Sequence, residues 1–186
     1  MIGYAFCGSF CTLGASLEAL RDLLREGREV QPIFSANAYT TDTRFGRAAD
    51  FVREVEELCG RAAIHTICEA EPLGPRTPLD LMIIAPCTGN TLAKMAHGIT
   101  DTPVTMAAKA HMRTGRPLLL ALATNDAMAA NLQNIAALLQ RKEVYFVPLR
   151  QDDPLKKPFS LVADFGRVRE AAEAAEGRRQ LRPLFL

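Results

Sequence analysis

The feature that most constrains this chain is a repeated order of short apolar run, small polar turn and helix. Its clearest instance is Leu81-Met82-Ile83-Ile84, which leads through Ala85-Pro86-Cys87 into Thr88-Gly89-Asn90-Thr91-Leu92-Ala93-Lys94. A short apolar run bounded this way reads as a buried strand, and Thr91, Leu92, Met95 and Ala96 then recur at helical spacing from a start near Thr88. In a parallel α/β sheet such a turn lies at the carboxyl end of the strands, where ligands bind. The first N–H groups of a helix lack intrahelical partners and favour an anion such as a phosphate. Thr88, Asn90 and Thr91 add hydrogen-bonding side chains, and Gly89 is expected to let a ligand approach the backbone. The same residue types also cap ordinary helices, so this stretch alone fits a plain cap equally well.

The order recurs along the chain. Ile2–Phe6 reads as a first strand with Cys7-Gly8-Ser9 as its exit turn, followed by a helix over Leu13–Arg25 that Gly27 stops. Glu29–Phe34 reads as a second strand ending in Ser35-Ala36-Asn37-Ala38. A polar segment, Tyr39 to Gly46, carries Arg44, whose guanidinium fork suits a carboxylate or phosphate. A helix over Arg47–Leu58, a short strand over Ala63–Cys68 and a Pro/Gly loop over Glu69–Pro78 complete the first half. Within it, His65 reads as a partly buried histidine, and Glu69 and Glu71 as a solvated acidic pair.

Beyond the central turn, a helix over Val104–Met112 carries Lys109, and Pro117–Ala123 is a buried strand leaving through Thr124-Asn125-Asp126. A helix over Ala127–Leu139, a strand over Val144–Val147, a loop over Gln151–Pro158 and a helix over Arg167–Glu176 follow. This alternation predicts one α/β domain, residues 1–186, with a mainly parallel sheet and helices on both faces, and a loop and helical tail from about residue 149. Four turns, at Gly8-Ser9, Ser35, Thr88–Thr91 and Thr124-Asn125, then meet at one edge and form a pocket for a phosphate-bearing ligand. The dinucleotide pattern Gly-x-Gly-x-x-Gly is absent, so a mononucleotide or bare phosphate fits better than NAD.

A length of 186 residues suits a single core, and a formal charge of +1 offers no electrostatic case for nucleic acid or a membrane surface. No apolar run is long enough to span a bilayer, and Met1-Ile2-Gly3-Tyr4 lacks the basic start of a signal peptide, so the expected location is cytoplasmic. The five cysteines form no Cys-x-x-Cys pair, and three scattered histidines supply no zinc set, so no metal is expected. Cys87 sits near a helix start, where thiolate is favoured, but no histidine beside it marks a nucleophile; it reads as a pocket-wall residue.

Pro86 to Lys94, followed by Gly98-Ile99-Thr100-Asp101, resembles the flavoprotein family of homo-oligomeric flavin-containing cysteine decarboxylases and flavin prenyltransferases, over Ile2 to Pro148. Further blocks resemble the branch of that family that serves dipicolinate formation in sporulating bacteria. They are Gly8-Ser9-Phe10-Cys11-Thr12, Thr41 to Gly46, Gln151-Asp152-Asp153-Pro154, Lys156-Lys157-Pro158 and Ser160-Leu161-Val162-Ala163.

The resemblance implies a Rossmann-like three-layer fold that binds FMN, with Gly8, Ser9, Ser35, Thr88, Gly89, Asn90 and Thr91 around the phosphate and Thr124 near the flavin. It implies a homo-oligomer, trimeric or dodecameric, and a separate A subunit with which the chain oxidises dihydrodipicolinate to dipicolinate in the mother cell. Arg44, Lys109 and Asn125 are then the candidates for holding a substrate carboxylate, and Asn90, orienting the flavin edge, is the candidate catalytic residue. NAD(P), if used, is expected on the A subunit, because this chain lacks the fingerprint for it.

Two departures count against the family's cysteine decarboxylation. Glu69 to Leu73 holds no histidine where the decarboxylases carry one, and Leu122-Ala123-Thr124-Asn125 keeps only the alanine and asparagine of their Pro-Ala-Met-Asn clamp. The alternatives are an FMN-dependent peptidyl- or phosphopantothenoyl-cysteine decarboxylase and a non-catalytic flavin-binding partner subunit.

Overall fold

The apolar runs become strands buried on both faces, which is why they read as continuous rather than alternating. In the computed structural model, which describes residues 1–74 and 76–186, five parallel strands form the frame. They are β1 (Ile2–Phe6), β2 (Val30–Phe34), β3 (Leu81–Cys87), β4 (Leu118–Thr124) and β5 (Val144–Phe146). The spatial order is β2-β1-β3-β4, with β5 alongside β4. Two short strands, β6 (Leu149–Arg150) and β7 (Leu161–Ala163), complete the sheet, β7 running antiparallel to both β4 and β6.

Helices α1 (Leu13–Arg25) and α8 (Val168–Glu176) pack together over β3 and β4, and α3 (Ala48–Cys59) packs against α1 and β2. Between them in sequence lie the short α2 (Ala36–Thr40) and α4 (Ile67–Ala70). Helices α5 (Gly89–Ala96), α6 (Pro103–Met112) and α7 (Leu132–Leu139) associate with one another and with β3 to β5. From β1 the chain winds outward to β2, whereas from β3 it winds the other way to β4, so a crevice opens outside the carboxyl ends of β1 and β3. Buried Ser16 on α1 ties the two strands: its hydroxyl donates to the Ala85 carbonyl at 2.5 Å, and the Tyr4 hydroxyl donates to the Ser16 carbonyl at 2.9 Å. An aromatic cluster of Phe6, Phe34 and Phe51, with centroids 5.0 to 6.0 Å apart, binds β1, β2 and α3.

Several sequence expectations are revised. The central strand does not stop at Ile84 but runs to Cys87, and its register against β4 shifts between Ile84 and Cys87. Ala63–Cys68 is not a strand: only Ile64 bridges to Ile33, and α4 begins at Ile67. Thr66 and Glu69 close a reciprocal capping box there, so Glu69, exposed like Glu71 as the sequence suggests, also caps a helix. The Glu69–Pro78 loop includes Pro75, which lies outside the described residues. The helix expected from Ala127 starts only at Leu132, because the Asp126 carbonyl takes the N–H groups of Ala129 and Asn131 in a turn. The tail from about residue 149 is not only loop and helix, since β6 and β7 add to the sheet.

His111 on α6 is fully buried, with Nε2 2.8 Å from the Pro117 carbonyl, which makes Nε2 the donor. Its Nδ1 is a buried side-chain atom without a partner. Burial holds the imidazole below its ordinary pKa, so the neutral ring is the folded form. A group depressed in this way binds its proton more readily in the unfolded chain, so stability present above the unfolded value of about 6.5 is lost as pH falls below it. Urea unfolding at pH values from about 7 down to about 5.5 is expected to show declining stability in the native chain and a flatter dependence in His111→Gln; equal slopes would remove His111 from this role.

Candidate functional site

The turn after β3 is built by the local sequence. Thr88 adopts extended backbone, and its hydroxyl accepts the Thr91 N–H at 3.2 Å, which starts α5 at Gly89. Among the described residues no other side chain caps this end, so the N–H groups of Gly89 and Asn90 have no intrahelical partner. Thr88 is thus a helix cap, as one reading of the stretch expects.

Gly8, Ser35, Thr88, Asn90 and Thr91 line one cavity of about 400 Å³ at the β1/β3 crevice, as the sequence predicts. Cys7, Asn37, Lys94 and Thr102 share it. Lys94 was not singled out by the sequence, although it stands four residues after Asn90 and hence on the same helix face. Its ammonium pairs with Asp101 at 2.7 and 2.9 Å. Ser35 caps α2, its hydroxyl accepting the Ala38 N–H at 3.2 Å.

Ser9, Thr124 and Asn125 instead line a neighbouring cavity of about 100 Å³, with Asp152, Lys157 and Ser160 from the segment between β6 and β7. Lys157 pairs with Asp152, and the Ser160 hydroxyl lies 3.3 Å from the Thr124 carbonyl and 3.5 Å from Asn125 Oδ1. That segment thus folds over the exit turns, a closure that no local pattern in the sequence announced.

Three expectations change. Gly89 is buried and faces protein rather than ligand: a Cβ there would lie 2.5 Å from Thr124 Oγ1, 2.6 Å from Asn131 Nδ2 and 3.1 Å from Asp126 Oδ1. Those atoms form a polar network. Asp126 accepts from the Thr124 hydroxyl and, at 2.9 Å, from the Asn131 amide, while Asn134 donates to Asn131 Oδ1 at 3.0 Å. The Thr124 hydroxyl, followed by the Asn131 amide, holds the Asp126 carboxyl below the usual range.

Cys87 is not a wall residue of either cavity. It is fully buried, and desolvation, with nearby Cys7 adding to it, pushes its thiol well above the ordinary range, overriding the helix start. Cys7 does line the larger cavity, but its thiol is pushed up to about 11 by burial. Both sulfurs are therefore neutral near pH 7.

The third change concerns the carboxylate candidates. Arg44 lies on an exposed loop with its guanidinium 4.9 Å from the Phe45 ring centroid, and Lys109 is exposed near the far end of α6. Neither lines the two cavities at the crevice; of the three, Asn125 alone does. Among the described residues no group of three or more His, Cys, Asp or Glu is placed to hold a metal, and no helix is long and apolar enough to cross a membrane.

The family model described as Flavoprotein matches residues 1–172. The B subunit of dipicolinate synthase from Bacillus subtilis (strain 168) is 45% identical over 185 residues, covering 100% of this chain and 92% of that protein. The crystal structure of the dipicolinate synthase B subunit from Bacillus halodurans C superposes with a TM-score of 0.91 at 39% identity, covering 100% of this chain and 95% of the other. A dodecameric FMN-dependent UbiX-like decarboxylase from Escherichia coli O157:H7 superposes less closely, with a TM-score of 0.61 at 28% identity over 80% of each chain.

Gly89→Ala is expected to cost about 1–3 kcal/mol, because the added methyl must push apart a packed, hydrogen-bonded wall. Urea unfolding reads this directly; an unchanged midpoint would mean that the Thr124–Asp126–Asn131 contact has slack.

Proposed function

This chain belongs to the flavoprotein family, and we propose that it is a flavin-binding B-type subunit that oxidises dihydrodipicolinate to dipicolinate with a separate A subunit. The observation that carries this reading is the full-length likeness to B subunits, 45% identical in sequence and 0.91 in TM-score. The decarboxylase likeness is more distant, and the histidine and clamp departures lie in that same direction.

The crevice suits the phosphate end of FMN. It presents the uncapped N–H of Asn90 at the start of α5, the Ser35 hydroxyl and the Lys94 ammonium around one cavity of about 400 Å³. Together these offer an oriented dipole, neutral donors and one cation, the combination that holds a phosphate without a glycine-rich dinucleotide loop. When bound, FMN supplies an acceptor for the hydride equivalent that aromatisation of the dihydropyridine releases.

The chain's own residues then divide the remaining work. Asn90 lines the cavity and carries a side-chain amide, both donor and acceptor, suited to orienting the flavin edge. Asn125, Ser160 and Lys157 in the adjoining cavity hold a substrate carboxylate beside it. Oxidation must also remove a proton; no histidine or carboxylate lines the larger cavity among the described residues, and the adjoining cavity offers only the Asp152 carboxylate, which is already paired with Lys157. That engagement supports dependence on the A subunit for the base. NAD(P), where required, falls to that subunit as well, and self-association in the manner of the family's trimers or dodecamers accompanies the assembly.

An absorbance titration with FMN, followed by anaerobic dihydrodipicolinate with and without the A subunit, tests this. Stoichiometric FMN uptake and bleaching that needs the A subunit are expected, with Lys94→Gln weakening FMN about tenfold for the loss of one charge-assisted contact. Absence of FMN uptake would sink the cofactor assignment, and bound FMN that substrate never bleaches would sink the redox role.

A further inference from the structure

At the opposite edge of the sheet, the entry to β5 and the segment after α8 enclose a cavity of about 460 Å³. Its lining is electrically lopsided: Arg141, Lys142, Arg178 and Arg182 stand against one carboxylate, Glu143. That carboxylate is already engaged. Arg178 pairs with one oxygen, and the Tyr145 hydroxyl donates to the other at 3.3 Å. The Glu143 side chain is 11% exposed, so it has little left to offer a visitor. Arg141 is fixed by a 2.7 Å hydrogen bond from Nη2 to the Ala96 carbonyl, at the end of α5. Among the described residues Lys142 and Arg182 form no ion pair with any carboxylate.

The backbone gives a second, independent sign. Glu143, with φ 64°, and Arg178, with φ 55°, are the non-glycine residues in left-handed backbone among those described. Side chains disfavour that conformation, and it persists where surrounding structure enforces it, often at functional sites. Here the two residues form the cavity's own ion pair, so the fold holds strained backbone on both sides of one positive pocket.

We propose that this cavity binds a small polyanion, a molecule bearing two or more phosphate or carboxylate groups. Lys142 and Arg182 supply its direct contacts, while Arg141 and Arg178 are preset by their own hydrogen bonds. The cations line a concavity rather than an extended face, and the whole chain carries only +1, so a compact ligand fits better than a nucleic acid. The pocket lies at the Val144 end of the strands, and β4 with its seven residues separates it from the crevice by roughly 20 Å at about 3.3 Å per residue. It is thus independent of the flavin reading.

Calorimetric titration of the intact protein, at ionic strength matched with sodium chloride, tests the proposal with two probes: pyrophosphate and propane-1,2,3-tricarboxylate. Saturable one-to-one binding of at least one is expected, and the preferred probe tells a phosphate source from a carboxylate source. Lys142→Gln and Arg182→Gln, both at exposed positions, are each expected to weaken it about tenfold while leaving FMN binding and thermal unfolding unchanged. Lack of saturable binding by either probe overturns the proposal. So does binding that survives in the double variant or that FMN displaces, since either result puts the anion elsewhere.

Discussion

The architecture of the crevice depends on a contact that one missing side chain permits. Gly89 sets the start of α5 directly against Thr124, Asp126 and Asn131, where even a methyl group would overlap. Because that helix end is held by the exit turn of β4, the uncapped N–H groups at the end of β3 are fixed relative to the strand beside it. The polar network behind the contact is satisfied: Asp126 takes two donors, and Asn131 passes the chain of hydrogen bonds to Asn134 inside α7. A half-buried network of this kind, with Asn131 and Asn134 themselves buried, favours one arrangement, because a slip leaves those amides unpaired. The larger cavity and the smaller one beside it therefore share a rigid wall.

The electrostatics of the crevice are mild. Its two nearby thiols are neutral, its one lysine is already paired with Asp101, and the anion-attracting groups are mainly backbone N–H and hydroxyl. Such a site offers an anion geometry and dipole more than net charge, in keeping with a chain whose overall balance is near zero. The opposite edge differs: four cations share a pocket with one internally consumed carboxylate. One sheet thus presents two chemically distinct ends, because strand direction sorts exit turns from entry turns.

Much of this was legible locally. The strands that carry the frame announced themselves as apolar runs, and the helix over Leu13–Arg25 by its stop at Gly27. The convergence of Gly8, Ser35, Thr88, Asn90 and Thr91 followed from topology alone, since every exit turn of a parallel sheet lies on one edge. The fate of Ala63–Cys68 did not: its β-branched residues suit a strand, but a Thr66–Glu69 capping box turned the segment into a helix.

By itself, then, the sequence determined the α/β alternation, the edge where the exit turns meet and the residue types standing there. Those properties depend on spacing within a few residues, where hydrogen-bonding and apolar periodicity act. Only the tertiary structure decided that Gly89 faces the β4 turn instead of a ligand, that Cys87 is sealed from the cavity, and that the segment carrying Lys157 and Ser160 closes over Asn125. It also decided that Arg141 and Arg182, far apart along the chain, share a pocket. Each is a matter of which distant side chain fills the space beside a given atom, and that is set by packing between elements rather than by any pattern within one.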